Sequence, residues 1–269
     1  MDKTALILIG SATNSAFDIG AMKVLFKNHI PDVVIATSAG SMNASFVLKD
    51  KNFTKNLKEA ERIWSNLEVK DIFKLNSQIF YKLYMADSIY DSNVLETFVK
   101  NQLGFDGMHI EDLEIPTYIG AIDFHTGKTV LFDKGHLADA VIASCSAIPL
   151  FSPKVIDGKH YIDGAVDVSA CIDKAEELGC KRIFLVHGGK KEPLDYNFLT
   201  VASKITNLMK MASIESVKRR NNSFKLHEIC SDRLYIPYII RKNSKAKEVA
   251  RELMKEGEKK AREALKQIK

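Results

Sequence analysis

Apolar residues follow two different spacings along this chain. Thr4-Ala-Leu-Ile-Leu-Ile-Gly10 and Asp32-Val-Val-Ile-Ala-Thr37 are short unbroken apolar runs, which predict buried strands. Between them Phe17, Ile19, Gly20, Met22, Val24, Leu25 and Phe26 recur at helical spacing, and Ser38-Ala-Gly-Ser-Met-Asn-Ala44 opens another helix. Strand, helix, strand, helix within the first fifty residues predicts a largely parallel sheet with helices on both faces.

Further along, charged helical patterns predict helices over about 54–67 and 91–103. Ile115-Pro-Thr-Tyr-Ile-Gly-Ala-Ile122 and Thr129-Val-Leu-Phe132 read as strands about a turn at 123–127. A helix over 136–147 is broken by Pro149 and Pro153, and Asp157-Gly158 marks a hairpin. After Asp163 come a helix ending near Gly179, a strand Arg182–Val186 and a long helix from about Thr200, on which Ile205, Leu208, Met209 and Ala212 share a stripe expected to face the core. Arg233-Leu-Tyr-Ile-Pro-Tyr-Ile239 reads as a last strand. In the helix that follows, Val249, Ala250, Leu253, Met254, Ala261, Ala264, Leu265 and Ile268 make one apolar face. No repeat, linker or low-complexity tract interrupts the chain, so residues 1–269 are expected to form one α/β domain.

Composition changes this picture in two places. The net charge of +5 is not spread evenly: residues 241–269 carry eleven Lys/Arg against five Glu, which leaves the rest near neutrality. This argues against a fold with a pervasive basic face and hence against nucleic acid as partner, and makes 241–269 a basic amphipathic C-terminal helix. Such a helix docks its apolar face on the core and can present positive charge to an anionic membrane surface. Four cysteines without CxxC spacing, no signal-peptide order and no apolar stretch of spanning length predict a cytoplasmic protein, at most peripheral at a membrane. His29, His109, His125, His136, His160 and His227 show no ligand spacing, so neither metal nor organic cofactor is expected.

The densest chemical signal is Val33-Val-Ile-Ala-Thr-Ser38-Ala-Gly40-Ser-Met-Asn-Ala44, a strand running through small residues into a helix. That is the arrangement of a nucleophile elbow, in which a sharp turn pushes a serine hydroxyl out at a helix N-terminus. Taken alone, the same residues also describe Ser38 as an ordinary N-cap, and Asp163-Gly164 as an ordinary turn. Asp163 and His187 follow the serine in triad order, but Ser38 comes after only the second strand, and His187 reads as a polar strand-exit residue.

Three ordered blocks make the chain resemble the patatin-like phospholipases: Gly10 through Leu25, including Phe17-Asp-Ile-Gly-Ala-Met-Lys-Val-Leu25; Ala36-Thr-Ser-Ala-Gly-Ser-Met-Asn-Ala44; and Ala143-Ser-Cys-Ser-Ala-Ile-Pro149 with Tyr161-Ile-Asp-Gly-Ala165. The segment Glu252-Leu-Met-Lys-Glu-Gly257 is similar to the closing helix of many members. The resemblance implies a three-layer patatin-like fold and a Ser-Asp dyad, with Ser38 as nucleophile and Asp163 as base. It also implies an oxyanion hole from the amides of Gly10, Ser11, Ala12 and Ala39. The activity implied is a lipase, phospholipase A or lysophospholipase acting on phospholipids or other acyl-ester lipids through an acyl-serine. Where the family loop carries several glycines and a basic residue, this chain has Gly10-Ser-Ala-Thr-Asn14-Ser15, with Asn14 at the basic position. The alternative expectation is therefore a catalytically impaired lipid-binding or scaffold protein on the same fold.

Overall fold

A computed structural model describes residues 2–77, 88–188, 198–232 and 243–267. Among them, strands β1 (Thr4–Ile9), β2 (Val33–Thr37), β3 (Thr117–Asp123), β4 (Thr129–Phe132), β5 (Lys154–Ile156), β6 (Lys159–Asp163), β7 (Arg182–His187) and β8 (Lys225–Cys230) form one sheet. Its order is β5-β6-β3-β2-β1-β7-β8, with β4 also paired to β3. The β3-β2-β1-β7-β8 part is parallel, while β4, β5 and β6 pair antiparallel. The described α-helices are α1 (Ala16–Asn28), α2 (Ala39–Leu48), α3 (Phe53–Asn66), α4 (Ser92–Thr97), α5 (Leu137–Cys145), α6 (Val168–Glu177), α7 (Phe198–Lys218) and α8 (Asn243–Lys266), and a 3-10 turn spans Ala12–Ser15.

The unbroken apolar strands are explained by burial on both faces. Leu6, Leu8, Val34, Ala36, Phe184 and Val186 point into one core with α1, α2, α3, α5 and α8. Their strand neighbours Ala5, Ile7, Ile9, Val33, Ile35, Ile183 and Leu185 point into a second core with α6 and α7. The expected three-layer α/β architecture is thus present.

Two expectations are corrected. Ile205, Leu208 and Met209 are not core: they are 54%, 58% and 52% exposed, and Ala212 is exposed beside them. The buried face of α7 is the one carrying Asn207, Lys210, Ile214 and Val217, so apolar spacing pointed to the outer stripe because the inner one includes a lysine and an asparagine. Strand β8 was not foreseen, since polar His227 and Glu228 interrupt Leu226 and Ile229 and hide its pattern. The expected strand over 233–239 lies outside the described residues, as does Ile268.

The C-terminal helix docks as its apolar face requires, with Leu253, Met254 and Ala261 fully or almost fully buried. It crosses α1 where both helices present glycine: a Cβ on Gly20 would run into the Met254 carbonyl, and one on Gly257 into that of Phe17. Lys23 then bridges Glu61 of α3 at 3.1 Å and Glu258 of α8 at 2.9 Å.

Candidate active site

Parallel register sets the site. Ile9 lies opposite both Thr37 and His187, so the loops leaving β1, β2 and β7 emerge side by side at the carboxyl edge of the sheet, the usual place for a ligand in an open α/β fold. Gly10, Ser38 and Gly188 are the first residues past those three strands. Asp163 ends β6, opposite Ala121 of the neighbouring β3.

At the β2–α2 junction Ser38 has φ 53° and ψ −141°, a strained conformation for a residue with a Cβ. Local contacts hold it there. The Ser38 N–H donates to Ser144 Oγ at 2.8 Å, and the Ser144 hydroxyl donates to the Gly120 carbonyl at 2.6 Å. The Ser38 carbonyl accepts from Ser41 N–H at 2.8 Å and from Ser41 Oγ at 2.6 Å. The turn also needs its neighbouring glycines: a Cβ on Gly40 would lie 2.5 Å from the Leu8 carbonyl oxygen, and one on Gly10 2.5 Å from the Ala39 nitrogen and 2.7 Å from the Ser38 Cβ.

The Ser38 hydroxyl so presented donates to Asp163 Oδ2 at 2.6 Å, a charge-assisted distance between residues 125 apart in sequence. The other oxygen, Oδ1, accepts from Ala165 N–H at 2.8 Å. Asp163 retains some surface at the site mouth but is otherwise enclosed by protein, and this desolvation raises its carboxyl to about 6 against the pull of the Ser38 and Ala165 hydrogen bonds and the Lys210 charge. A base with that affinity is ionised at neutral pH yet able to take a proton. His187 contacts neither residue of the pair. It is fully buried, with Nε2 2.9 Å from Glu228 Oε1 and Nδ1 3.5 Å from Cys230 Sγ, and burial lowers its pKa. One donor atom from each of His187, Glu228 and Cys230 lies within 4.8 Å of the others, and hydrogen bonds join the three side chains in this structure.

The four expected oxyanion amides fare differently. The Gly10 N–H donates to the Thr37 carbonyl at 3.0 Å and that of Ser11 to Ser15 Oγ at 3.0 Å, so both are committed within the fold. Ala39 is the first residue of α2, where the amide has no intrahelical acceptor. Ala12 is exposed, with φ 49°. Of the four, Gly10 and Ser11 are thus held by partners inside the fold, while Ala39 opens α2 and Ala12 sits in the left-handed region at the surface.

Several supporting residues were not singled out from sequence. Asn43 on α2 donates to the Ser15 carbonyl at 2.8 Å and to Asp18 Oδ2 at 3.2 Å, and accepts from Trp64 Nε1 at 2.7 Å. Asp18 lies buried behind the loop, where desolvation raises its carboxyl to about 8. Asp18, Asn43 and Ser144 all fall inside the three blocks that carried the resemblance, which was the available signal. Lys210, 4% exposed on α7, had none.

A family model for patatin-like phospholipase matches residues 6–169, which takes in all three blocks and both Ser38 and Asp163. The chain belongs to the patatin-like phospholipase family, and lipid acyl hydrolysis is supported at that level. Among solved structures it is similar to VipD from Legionella pneumophila, with a TM-score of 0.58 at 12% identity over 99% of this chain and 67% of that one. ExoU of the type III secretion system of Pseudomonas aeruginosa, solved with SpcU, aligns with a TM-score of 0.46 at 13% identity, covering 99% of this chain and 52% of that one. The chain thus spans about two thirds of VipD and about half of the ExoU chain. Among the described residues, no helix is long and apolar enough to cross a membrane.

Proposed function

We propose that the chain, acting as one domain, is a serine acyl hydrolase that cleaves fatty-acyl esters of phospholipids or lysophospholipids through Ser38 and Asp163. The observation that carries this reading is the 2.6 Å hydrogen bond from a strained, elbow-borne serine to a carboxyl raised to about 6. As Ser38 Oγ attacks the ester carbonyl, its proton passes to Asp163 Oδ2. Negative charge develops on the carbonyl oxygen, where the amides of Ala12 and Ala39 receive it. Collapse expels the alcohol, which takes the proton from Asp163, and leaves an acyl-serine. Water then attacks the acyl-serine, giving its proton to Asp163. Ser38 recovers that proton as the fatty acid departs.

One feature suits an apolar substrate at a lipid surface: Ile205, Leu208 and Met209 form an exposed apolar stripe on α7, the helix that also reaches the loop bearing Ser11. The lipid-binding or scaffold reading draws on a different observation, the commitment of the Gly10 and Ser11 amides inside the fold.

A fluorophosphonate probe separates the two readings. Labelling that vanishes in Ser38→Ala and falls at least tenfold in Asp163→Asn is the expected result. Folded wild-type protein that stays unlabelled in the presence of micelles or vesicles overturns the hydrolase and leaves the binding role.

A further inference from the structure

Helix α7 turns a lysine inward. Lys210 Nζ donates to Ser11 Oγ at 2.9 Å and to the Gly188 carbonyl at 3.0 Å. The Gly188 N–H reaches the same Ser11 hydroxyl oxygen at 3.2 Å. Position 188 has to be glycine for this, since a Cβ there would lie 2.5 Å from the Ser11 Cβ and 2.9 Å from that of Asn14. The loop after β1, the exit of β7 and the inner face of α7 therefore meet at one ammonium. A charge this deeply buried is costly unless carboxylates and acceptors surround it. Among the described residues, Asp18 on α1 and Asp163 on β6 are carboxyls that feel it, His187 on β7 is an imidazole that does, and Glu228 and Cys230 on β8 stand behind His187. Cys145 on α5 faces Asp163 from the remaining side. The Gly10–Ser15 loop carries no charged residue of its own.

We propose that Lys210 is a positioning residue of the dyad, whose ammonium pins the Ser11 turn and supplies, from a helix two hundred residues away, the fixed positive charge that the oxyanion loop lacks. Pinning Ser11 fixes the backbone leading into Ala12, one of the two amides that receive the oxyanion in the proposed mechanism. The charge itself acts in a low-dielectric surround, where it favours the developing alkoxide and the ionised form of Asp163 without reorganising during the reaction. This inference rests on the dyad reading.

The test compares Lys210→Met, Lys210→Arg and Ser11→Ala with the wild type. It follows kcat and KM on a soluble aryl ester as a function of pH, together with the titration midpoint of the Asp163 carboxyl by carbon-13 NMR, assigned through its absence in Asp163→Asn. In folded Lys210→Met, kcat falls tenfold or more with KM within about twofold, and both the acidic limb and the NMR midpoint move to higher pH. Lys210→Arg restores the midpoint and part of kcat. Ser11→Ala, which keeps the charge and removes the pin, lowers kcat severalfold with the midpoint unmoved; it carries the test if Lys210→Met does not fold. Wild-type kcat and midpoint in folded Lys210→Met, a loss that arginine does not rescue with the midpoint unmoved, or wild-type kcat in Ser11→Ala overturns the proposal. Those results arise in an active enzyme, and so are distinct from a wild type inert to both ester and fluorophosphonate, which overturns the dyad and this inference together.

Discussion

A carboxyl that must accept the Ser38 proton works best when its affinity lies near the working pH, and burial brings Asp163 to about 6. On the proposed mechanism, kcat/KM rises with pH as Asp163 ionises, is half-maximal near pH 6 and flat above, and a pH–rate profile on a soluble ester reads this directly. The same shift acts on stability with the opposite benefit. Because the folded value exceeds the unfolded 3.8, the bound proton stabilises the fold fully below pH 3.8, and that contribution is lost as the pH rises through about 6. Asp163→Asn is therefore expected to melt higher than wild type at neutral and alkaline pH, with the gap closing as the pH is lowered through that window in calorimetric scans. Elsewhere in the site single residues carry backbone strain. At Ala12 the positive φ costs about 1 kcal/mol that glycine does not incur. Ala12→Gly should raise the unfolding free energy by no more than about 0.5 kcal/mol, seen as a small rise in urea midpoint at unchanged m, once the ~0.4–1 kcal/mol of glycine's extra unfolded-state freedom is deducted. Ser144→Ala does the reverse: it strips the buried partner from the Ser38 N–H and the Gly120 carbonyl, and is expected to cost about 1–3 kcal/mol and to blunt fluorophosphonate labelling with Ser38 still in place.

Among the elements, α7 shows how a helix serves two masters. Its inner face gives up apolar residues to place Lys210 against Ser11, and its outer face gives up polarity at Ile205, Leu208 and Met209. A membrane-facing role for the outer stripe is tested by Leu208→Ser with Met209→Ser: hydrolysis of vesicle phospholipid drops several-fold while hydrolysis of a soluble ester is unchanged. Equal loss on both substrates would assign the stripe to folding or catalysis instead. The strands that interleave with the helices were legible wherever both faces are buried, as in β1, β2 and β7, because unbroken apolar runs have few other uses. Strand β8 was not, since Glu228 is reserved for His187 at 2.9 Å and Lys218 at 2.6 Å, so its polar positions answer to partners remote in sequence.

Across the whole molecule, charge is divided between a near-neutral body and a basic last helix. Docking through Gly20 and Gly257 buries the apolar face of α8 and leaves Arg251, Lys255 and Lys259 exposed. Deleting this helix would uncover the α1 surface on which Leu253, Met254 and Ala261 pack and so would report on folding rather than on charge. Substituting Arg251, Lys255 and Lys259 together by glutamine leaves the docking face intact. At about 1 kcal/mol per basic residue near an anionic surface, the triple variant should bind phosphatidylserine vesicles about 100-fold more weakly at low salt, with the difference shrinking at high salt. Unchanged sedimentation with vesicles would place the membrane contact elsewhere.

The sequence by itself determined the parallel α/β frame, the three family blocks that single out Ser38 and Asp163, and the amphipathic last helix. Each of these is written in contiguous residues, as an apolar run, a turn-forming cluster or a repeating face. Only the tertiary structure decided that the Gly10 and Ser11 amides are committed within the fold, which face of α7 is buried, and that Ser144, Asn43 and Lys210 brace the loops around Ser38. Those outcomes depend on hydrogen bonds and desolvation between segments brought together by sheet register. A lysine on a helix reads as solvent-facing until the strand edge it packs against is known, and Lys210 meets Ser11 only because β1 and β7 lie side by side.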